Sequence, residues 1–144
     1  MSWMLRGLQD DDRAFVGGKA IRRELAERTS RRATVGVVVD WEQWDRLYRE
    51  AGLLPPKDER PLPYESVLHD RPTTAGGSQV GYVTSFMYSP VLQRHIGLAR
   101  VRPDLAAPGS EVHMEVAVHH SNTTVLARTA KTPLFNPARK TAKA

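Results

Sequence analysis

Apolar and polar residues alternate over much of the second half of the chain, a pattern typical of β-strands with one buried face. The alternation is clearest over 111–118, which predicts a strand with its apolar side chains inward. Its inward residues are Val112, Met114, Val116 and Val118, and its outward residues are Glu111, His113 and Glu115. Further strands are predicted over 79–88, 95–102 and 123–130, with the dipeptide Ser89-Pro90 ending the first of them.

The first half of the chain holds two short helices, one buried apolar strand, a short strand at the apolar run 3–5 and a candidate strand over 64–69. The β-branched run 33–39 predicts a buried strand. The residues on its inner face are Val35, Val37 and Val39. Apolar residues then recur at helical spacing over 41–51, and residues 19–28 also have helical character.

The second helix begins with the residues of an N-terminal cap. Asp40 suits the N-cap position because its carboxylate can accept hydrogen bonds from the unpaired amides of the first turn. Gln43 stands at the third helical position, as in a capping box. The aromatic stripe Trp41, Trp44 and Tyr48 is interpreted as core, with a base-stacking platform as the alternative.

Composition places the chain among ordinary globular proteins. Its length of 144 residues is sufficient for one buried core. Hydrophobic residues make up 40% of the chain and charged residues 26%, close to the average of soluble proteins. No apolar run is long enough to span a bilayer, and the first residues turn acidic too early for a secretory signal. The absence of cysteine excludes disulfides, cysteine-bound zinc and thiol nucleophiles. A cytoplasmic protein without membrane contact is therefore expected.

The net charge of +5 raises the possibility of nucleic-acid binding. Three of the basic residues, Arg139, Lys140 and Lys143, lie in a short tail without acidic neighbours. Because the remaining body is only mildly basic and shows no clustered basic stripe, nucleic acid is not the expected partner.

Short motifs that suggest chemistry have simpler interpretations. Gly17-Gly18 and Gly76-Gly77 lack the spacing and the lysine of a phosphate-binding loop, so they are predicted turns. Asp10-Asp11-Asp12 lacks the alternating oxygen ligands of a calcium loop. Asn122-Thr123-Thr124 matches an N-glycosylation acceptor but is expected to be inert without a secretory signal.

Histidines are grouped at one place only. Adjacent strand residues point to opposite faces, so His119 and His120 cannot easily share a metal ion, and a solvated hairpin tip is predicted rather than a ligand site. His113, between Glu111 and Glu115, is interpreted as part of a polar strand face, with a metal site as the alternative. The sequence thus predicts no catalytic residue and no metal site, and it leaves the cofactor-binding residues unknown.

Two longer motifs resemble a known family. The stretch 81–90, GYVTSFMYSP, followed by 96–101, IGLARV, resembles the "G-x-V-T-S-x-x-x-S-P … I-A-L-A-x-V" signature of the glycine cleavage T-protein C-terminal barrel. The family elements "F-I-G-x-x-A-L", "V-G-L", "G-T-x-V" and "P-F" have similar counterparts in the same order. Those counterparts are Phe15–Ile21, Val35–Val37, Gly109–Val112 and Lys131–Phe135.

The resemblance implies a mainly β fold, a small antiparallel Greek-key barrel of about six strands. A short strand-helix segment from a partial α+β domain is expected to precede it. The implied domains are 1–32, the end of a folate-binding domain; 33–135, the C-terminal β-barrel; and 136–144, a basic tail. Family members pass a one-carbon unit to tetrahydrofolate, so tetrahydrofolate is the implied cofactor, bound mainly by domains that this chain does not contain.

Three departures from the family pattern favour an O- or N-demethylase branch over glycine cleavage. In some T-proteins a basic residue just before "V-G-L" lines the folate site; here Thr34 holds that place, with Arg31 and Arg32 upstream. The family's "P-x-R" motif, which leads into the second barrel strand, is replaced here by PLPYE at residues 61–65. The closing segment 136–140 also differs from that of ordinary T-proteins.

Three functions are therefore weighed. The first is a barrel module or subunit of a tetrahydrofolate-dependent methyl or aminomethyl transferase, with catalytic residues on missing domains or on another chain. The second is a non-catalytic binding or structural barrel, and the third is a nucleic-acid binder. The first implies a companion chain that carries the folate-binding domains; a homo-oligomer is the alternative.

Overall fold

The chain folds into a closed antiparallel β-barrel flanked by two short helices. The computed structural model describes residues 7–8, 14–53, 66–137 and 140. The helices are α1 (Gly18–Glu27) and α2 (Trp41–Glu50). The strands are β1 (Ala33–Val39), β2 (Val67–His69), β3 (Gln79–Ser89), β4 (Arg94–Val101), β5 (Glu111–Val118) and β6 (Ser121–Ala130).

The strands close in the order β1-β4-β3-β2-β5-β6. Strands β2, β3 and β4 follow one another as hairpins, and β1 pairs with β4 rather than with β2, which is Greek-key connectivity. On its other edge β1 pairs with β6, so that the sheet has no open edge. The predicted six-stranded antiparallel barrel is confirmed, whereas the predicted first strand at 3–5 lies outside the described residues.

The barrel interior is filled by the alternate apolar residues of the strands. Val112 and Met114 have no exposed surface, and their outward neighbour Glu111 is exposed, so the predicted phase of β5 is confirmed. Val37 is likewise fully buried at the centre of β1. Each valine of this kind contributes about 1.5–3 kcal/mol by leaving water.

Strand β3 departs from simple alternation. Val83 pairs with Ala99 and Ser85 pairs with Leu98, so Thr84 has no partner on β4. Thr84 is exposed as the bulged residue. A second register shift, opposite Leu68 and His69, leaves Val80 without a partner on β2, and Val80 and Val83 are both buried. A side-chain period of two applied along the whole strand, as the sequence suggests, fails at Val80 and again at Thr84.

Helix α2 begins as the sequence predicts. Asp40 is the N-cap, and its carboxylate accepts a hydrogen bond from the Gln43 amide at 3.0 Å. The side chain of Gln43 does not complete a capping box. Its oxygen accepts instead from the backbone amide of Leu126, at 2.6 Å, which ties the helix to β6.

The aromatic stripe of α2 belongs to the core, as predicted. Trp44 is 2% exposed and Tyr48 is 8% exposed, within the same cluster as the strand valines. Trp41 is half-buried, and its ring stacks on the buried ring of His95 with centroids 4.5 Å apart.

Helix α1 lies before the barrel. Its apolar pair Ile21 and Leu25 is half-buried, while Phe15 and Val16, just ahead of the helix, are exposed. No helix in the described part of the chain has the length and apolar character needed to cross a membrane.

Candidate functional site: an arginine-lined cleft

A positively charged cleft lies where α1 meets the start of β1. Its volume is about 420 Å³. The residues that line it are Ala20, Arg23, Glu24, Thr29, Ser30, Arg31, Arg32 and Arg100. Three segments therefore form its walls: α1, the loop that follows α1, and β4.

The loop is shaped by a reversal at the end of α1. Arg28 adopts a left-handed conformation with φ of 51°, which ends the helix. The Thr29 amide donates to the Glu24 carbonyl at 3.2 Å, and the Ser30 hydroxyl donates to the Arg32 carbonyl at 3.3 Å. These bonds turn the chain back along α1 before it enters the barrel.

Two of the arginines are placed by the barrel itself. Arg32 Nη1 donates to the carbonyl oxygen of Val80 at 2.6 Å, which holds its side chain against the first residues of β3. Arg100 is half-buried on the outer face of β4, where its register neighbours are Thr34 on β1 and Tyr82 on β3. Arg31, Arg32 and Thr34, which precede the "V-G-L" counterpart, thus lie together at one end of the barrel.

The cleft carries an excess of positive charge. The described residues of its lining carry four guanidinium groups and one carboxylate, that of Glu24. Arginine stays protonated at all ordinary pH values, so this charge is permanent. Among the described residues, the lining contains no aromatic ring and no histidine. The cleft can donate hydrogen bonds to an anion, and the carboxylate of Glu24 is the one described acidic group in it.

A second polar group occupies the outer face of β2 and β5. His69 lies opposite His113 in the strand register, and its Nε2 is 3.3 Å from Glu115 Oε2. The other ring nitrogen, Nδ1, is 3.3 Å from the carbonyl oxygen of Gly77. Burial lowers the pKa of His113 below its ordinary value of 6.5; His69 lowers it further, while Glu111 and Asp70 oppose the shift.

The candidates for metal binding are not assembled into a ligand set. Within 7–8, 14–53, 66–137 and 140, no three histidine or carboxylate side chains form a group that could hold a metal ion.

His119 and His120 form the exposed two-residue turn between β5 and β6, both with positive φ, as the predicted hairpin tip requires. Asn122 is exposed beside them. The triplet 10–12 lies outside the described residues.

Sequence reasoning missed two members of these groups. Arg23 carries no signal of its own, because nothing in a single sequence shows that the loop after α1 folds back against it. His69 was not singled out, since its contact with Glu115 depends on the pairing of β2 with β5. The sequence feature that could have pointed to the cleft is the family motif at 96–101, because its fifth residue, Arg100, lines the cleft.

Comparisons with known proteins agree on one family. Residues 49–136 match the family model of the glycine cleavage T-protein C-terminal barrel domain. The aminomethyltransferase of Synechococcus sp. (strain RCC307) is 32% identical over 114 residues, which cover 79% of this chain and 25% of that protein. The aminomethyltransferase of Acidobacterium capsulatum is 31% identical over 132 residues, covering 92% of this chain and 28% of that protein.

A solved structure shows the same fold. The glycine cleavage system aminomethyltransferase T from Bartonella henselae aligns with a TM-score of 0.57 and 21% identity, over 84% of this chain and 26% of that one. The chain spans about a quarter of the length of the curated relatives named above.

Proposed function

Because the chain belongs to the family of the glycine cleavage T-protein C-terminal barrel domain, we propose that it is the barrel module of a tetrahydrofolate-dependent methyl or aminomethyl transferase. The family match over the barrel residues is the observation that carries this proposal. The aminomethyltransferases to which the chain is similar support it.

The described residues suit a supporting role better than a catalytic one. The arginine-lined cleft fits the carboxylates of tetrahydrofolate, but the described residues of its lining include no aromatic ring to stack on a pterin. When bound elsewhere in the enzyme, tetrahydrofolate would supply the nitrogen that accepts the one-carbon unit. In this chain, Arg31, Arg32 and Arg100 would bind and orient only its anionic end.

The domain assignment follows from the same proposal. Residues 1–32 would end the folate-binding domain, 33–135 would be the barrel domain, and 136–144 would be a basic tail. The exposed Phe15 and Val16 and the half-buried face of α1 support a contact with further protein. The companion chain that carries the folate-binding domains would make that contact, and the reaction would take place in the cytoplasm.

Within the family, we favour an O- or N-demethylase over glycine cleavage. The reason is Thr34, which is exposed on β1 at the position where some T-proteins carry a basic residue. In this structure Thr34 is the register neighbour of Arg100, so a positive charge is still present, but it comes from β4. Of the other departures, residues 61–65 and two residues of 136–140, namely 138 and 139, lie outside the described residues.

A folate titration tests the proposed function. Tetrahydrofolate would be added to the chain alone and to the chain mixed with a companion polypeptide that carries the folate-binding domains, with binding followed by calorimetry. We expect weak binding by the chain alone and tight binding by the mixture. If the barrel is only a structural or binding module, the companion will bind tetrahydrofolate equally well without it.

A further inference from the structure

We propose that the outer side of β1, β4 and β3 is a docking surface for a short protein segment that presents apolar side chains and a carboxylate. We name this surface the outer apolar face; its residues are Val38, Met87, Ile96, Leu98 and Leu134. The inference goes beyond the proposed function and does not rest on it, because the face lies at the other end of these strands from the arginine-lined cleft and requires no tetrahydrofolate.

The apolar side chains of the face are adjacent rather than scattered. Ile96 is the register neighbour of Val38 on β1 and of Met87 on β3, which gives one apolar row across three strands. Leu98 stands two residues further along β4, on the same outer side as Ile96, because the residues between and beyond them are buried in the barrel.

The face is exposed where a barrel surface is ordinarily polar. Met87 is 66% exposed and Leu98 is 40% exposed. Strand β5 shows the ordinary pattern, since its outward residues are Glu111, His113 and Glu115. A contiguous group of exposed apolar side chains is typical of an interaction site, whereas single ones are not.

The segment after β6 extends the face on its β1 side. A side chain at Gly36 would collide with Leu134, so the glycine leaves the space in which Leu134 lies across β1. Leu134 is half-buried there, and the following Phe135 is 39% exposed. The face therefore runs from β3 over β4 and β1 to this segment.

Two arginines flank one end of the face. Val38, Arg94 and Arg128 line a cleft of about 300 Å³. Asp40 also lines it but is engaged as the N-cap of α2, and Arg128 is paired with Glu111 at 2.8 Å. Among the described residues, no carboxylate oxygen lies within the 4.0 Å of an ion pair from Arg94. Arg94 can therefore donate to a carboxylate that an incoming segment supplies.

The size of the face favours a segment over a second copy of the chain. Three strands span about 10 Å, which matches the width of one helix or one extended chain, whereas each partner of a stable dimer buries about 800 Å². A second copy would also bring another Arg94 to the contact. The described carboxylates nearest to it, those of Asp40 and Glu111, already have partners within the chain.

Selection of short random peptides, displayed on phage, against the full chain tests the proposal. Enriched peptides would be synthesised and titrated by fluorescence anisotropy against the wild type and four single variants. M87Q removes an apolar side chain of the face, and R94Q removes its flanking charge. The matched controls are V16T and R31Q, because Val16 and Arg31 are also exposed but lie away from the face. Thermal melting will show that each variant remains folded.

We expect the enriched peptides to combine apolar residues with Asp or Glu and to bind one per chain. Binding should weaken at least about 5-fold in M87Q and in R94Q, and less than about 2-fold in V16T and in R31Q. Absence of any enriched sequence, or equal weakening by all four variants, would overturn the proposal. Weakening by R31Q but not by R94Q would place the peptide in the arginine-lined cleft and also overturn it. Light scattering adds a further test: a dimer of the chain that M87Q dissociates would overturn the proposal in favour of a second copy.

Discussion

Gln43 and Leu126 are 83 residues apart, yet the side-chain oxygen of Gln43 accepts a hydrogen bond from the backbone amide of Leu126 at 2.6 Å. The Asp40 amide donates to the carbonyl oxygen of the same Leu126 at 2.8 Å. The first turn of α2 thus satisfies both backbone groups of one residue of β6. This pair of bonds fixes the helix relative to the barrel and holds Trp44 in the core.

The Q43A variant should lose about 1–3 kcal/mol of unfolding free energy, because the half-buried amide of Leu126 loses its acceptor. Urea denaturation followed by tryptophan fluorescence will measure the loss. The matched control is R46A, an exposed position on the same helix, which should change the free energy by less than about 0.5 kcal/mol. Equal losses of unfolding free energy in the two variants would mean that the hydrogen bond from Leu126 to Gln43 does not stabilise the fold.

Placing a carboxylate inside the barrel should unfold it, whereas the same carboxylate outside should not. Val112 has no exposed surface, so V112D would bury an unpaired charge and cost at least about 3 kcal/mol. Ala117 is exposed on the same strand, and A117D should cost less than about 1 kcal/mol. Melting temperatures of the two variants test the prediction; a similar fall in both would show that the assigned facing of β5 is wrong.

His113 should make the fold less stable as the pH falls. Its pKa in the folded state lies below the ordinary value of 6.5, because burial disfavours the imidazolium. The unfolded chain therefore takes up this proton first, and stability declines as the pH drops below about 6.5. In H113Q this part of the decline should disappear.

Melting temperatures at about pH 7.5 and 5.5, on either side of the ordinary histidine pKa, will measure that effect. The control is H120N, at an exposed turn residue with φ of 62°, a conformation that asparagine tolerates. The change in melting temperature between the two pH values should be smaller in H113Q than in the wild type, and unaltered in H120N. An unaltered pH dependence in H113Q would exclude His113 as its source.

The sequence predicted the barrel well because each strand has a clear local signal. Val35 and Val37 on β1 and Val112 on β5 are buried as their alternation requires. The bulge at Thr84 was not predictable from the same signal, since it depends on how β3 pairs with β4. Gln43 shows the same limit: its position in the helix suggested a capping box, but a distant strand supplies its partner.

The candidate site was predictable only in part. The resemblance directed attention to Arg31, Arg32 and Thr34, and these residues do lie beside the cleft or line it. Arg23 and Arg100 join them only after the chain has reversed at Arg28 and β1 has paired with β4. A cleft built from a helix, a loop and a distant strand has no continuous signature in the sequence.

The proposal that this barrel serves a tetrahydrofolate-dependent transferase is tested most directly by measuring transfer itself. The purified chain, a companion polypeptide carrying the folate-binding domains, and their mixture would each be incubated with tetrahydrofolate and with O-methyl and N-methyl donors. Methylated folate would then be measured by mass spectrometry. The account predicts no product from the chain alone and at least about 10-fold more product from the mixture than from the companion, since correct positioning of the anionic end should aid the reaction. Product from the chain alone, or a companion whose rate the chain does not change, would contradict it.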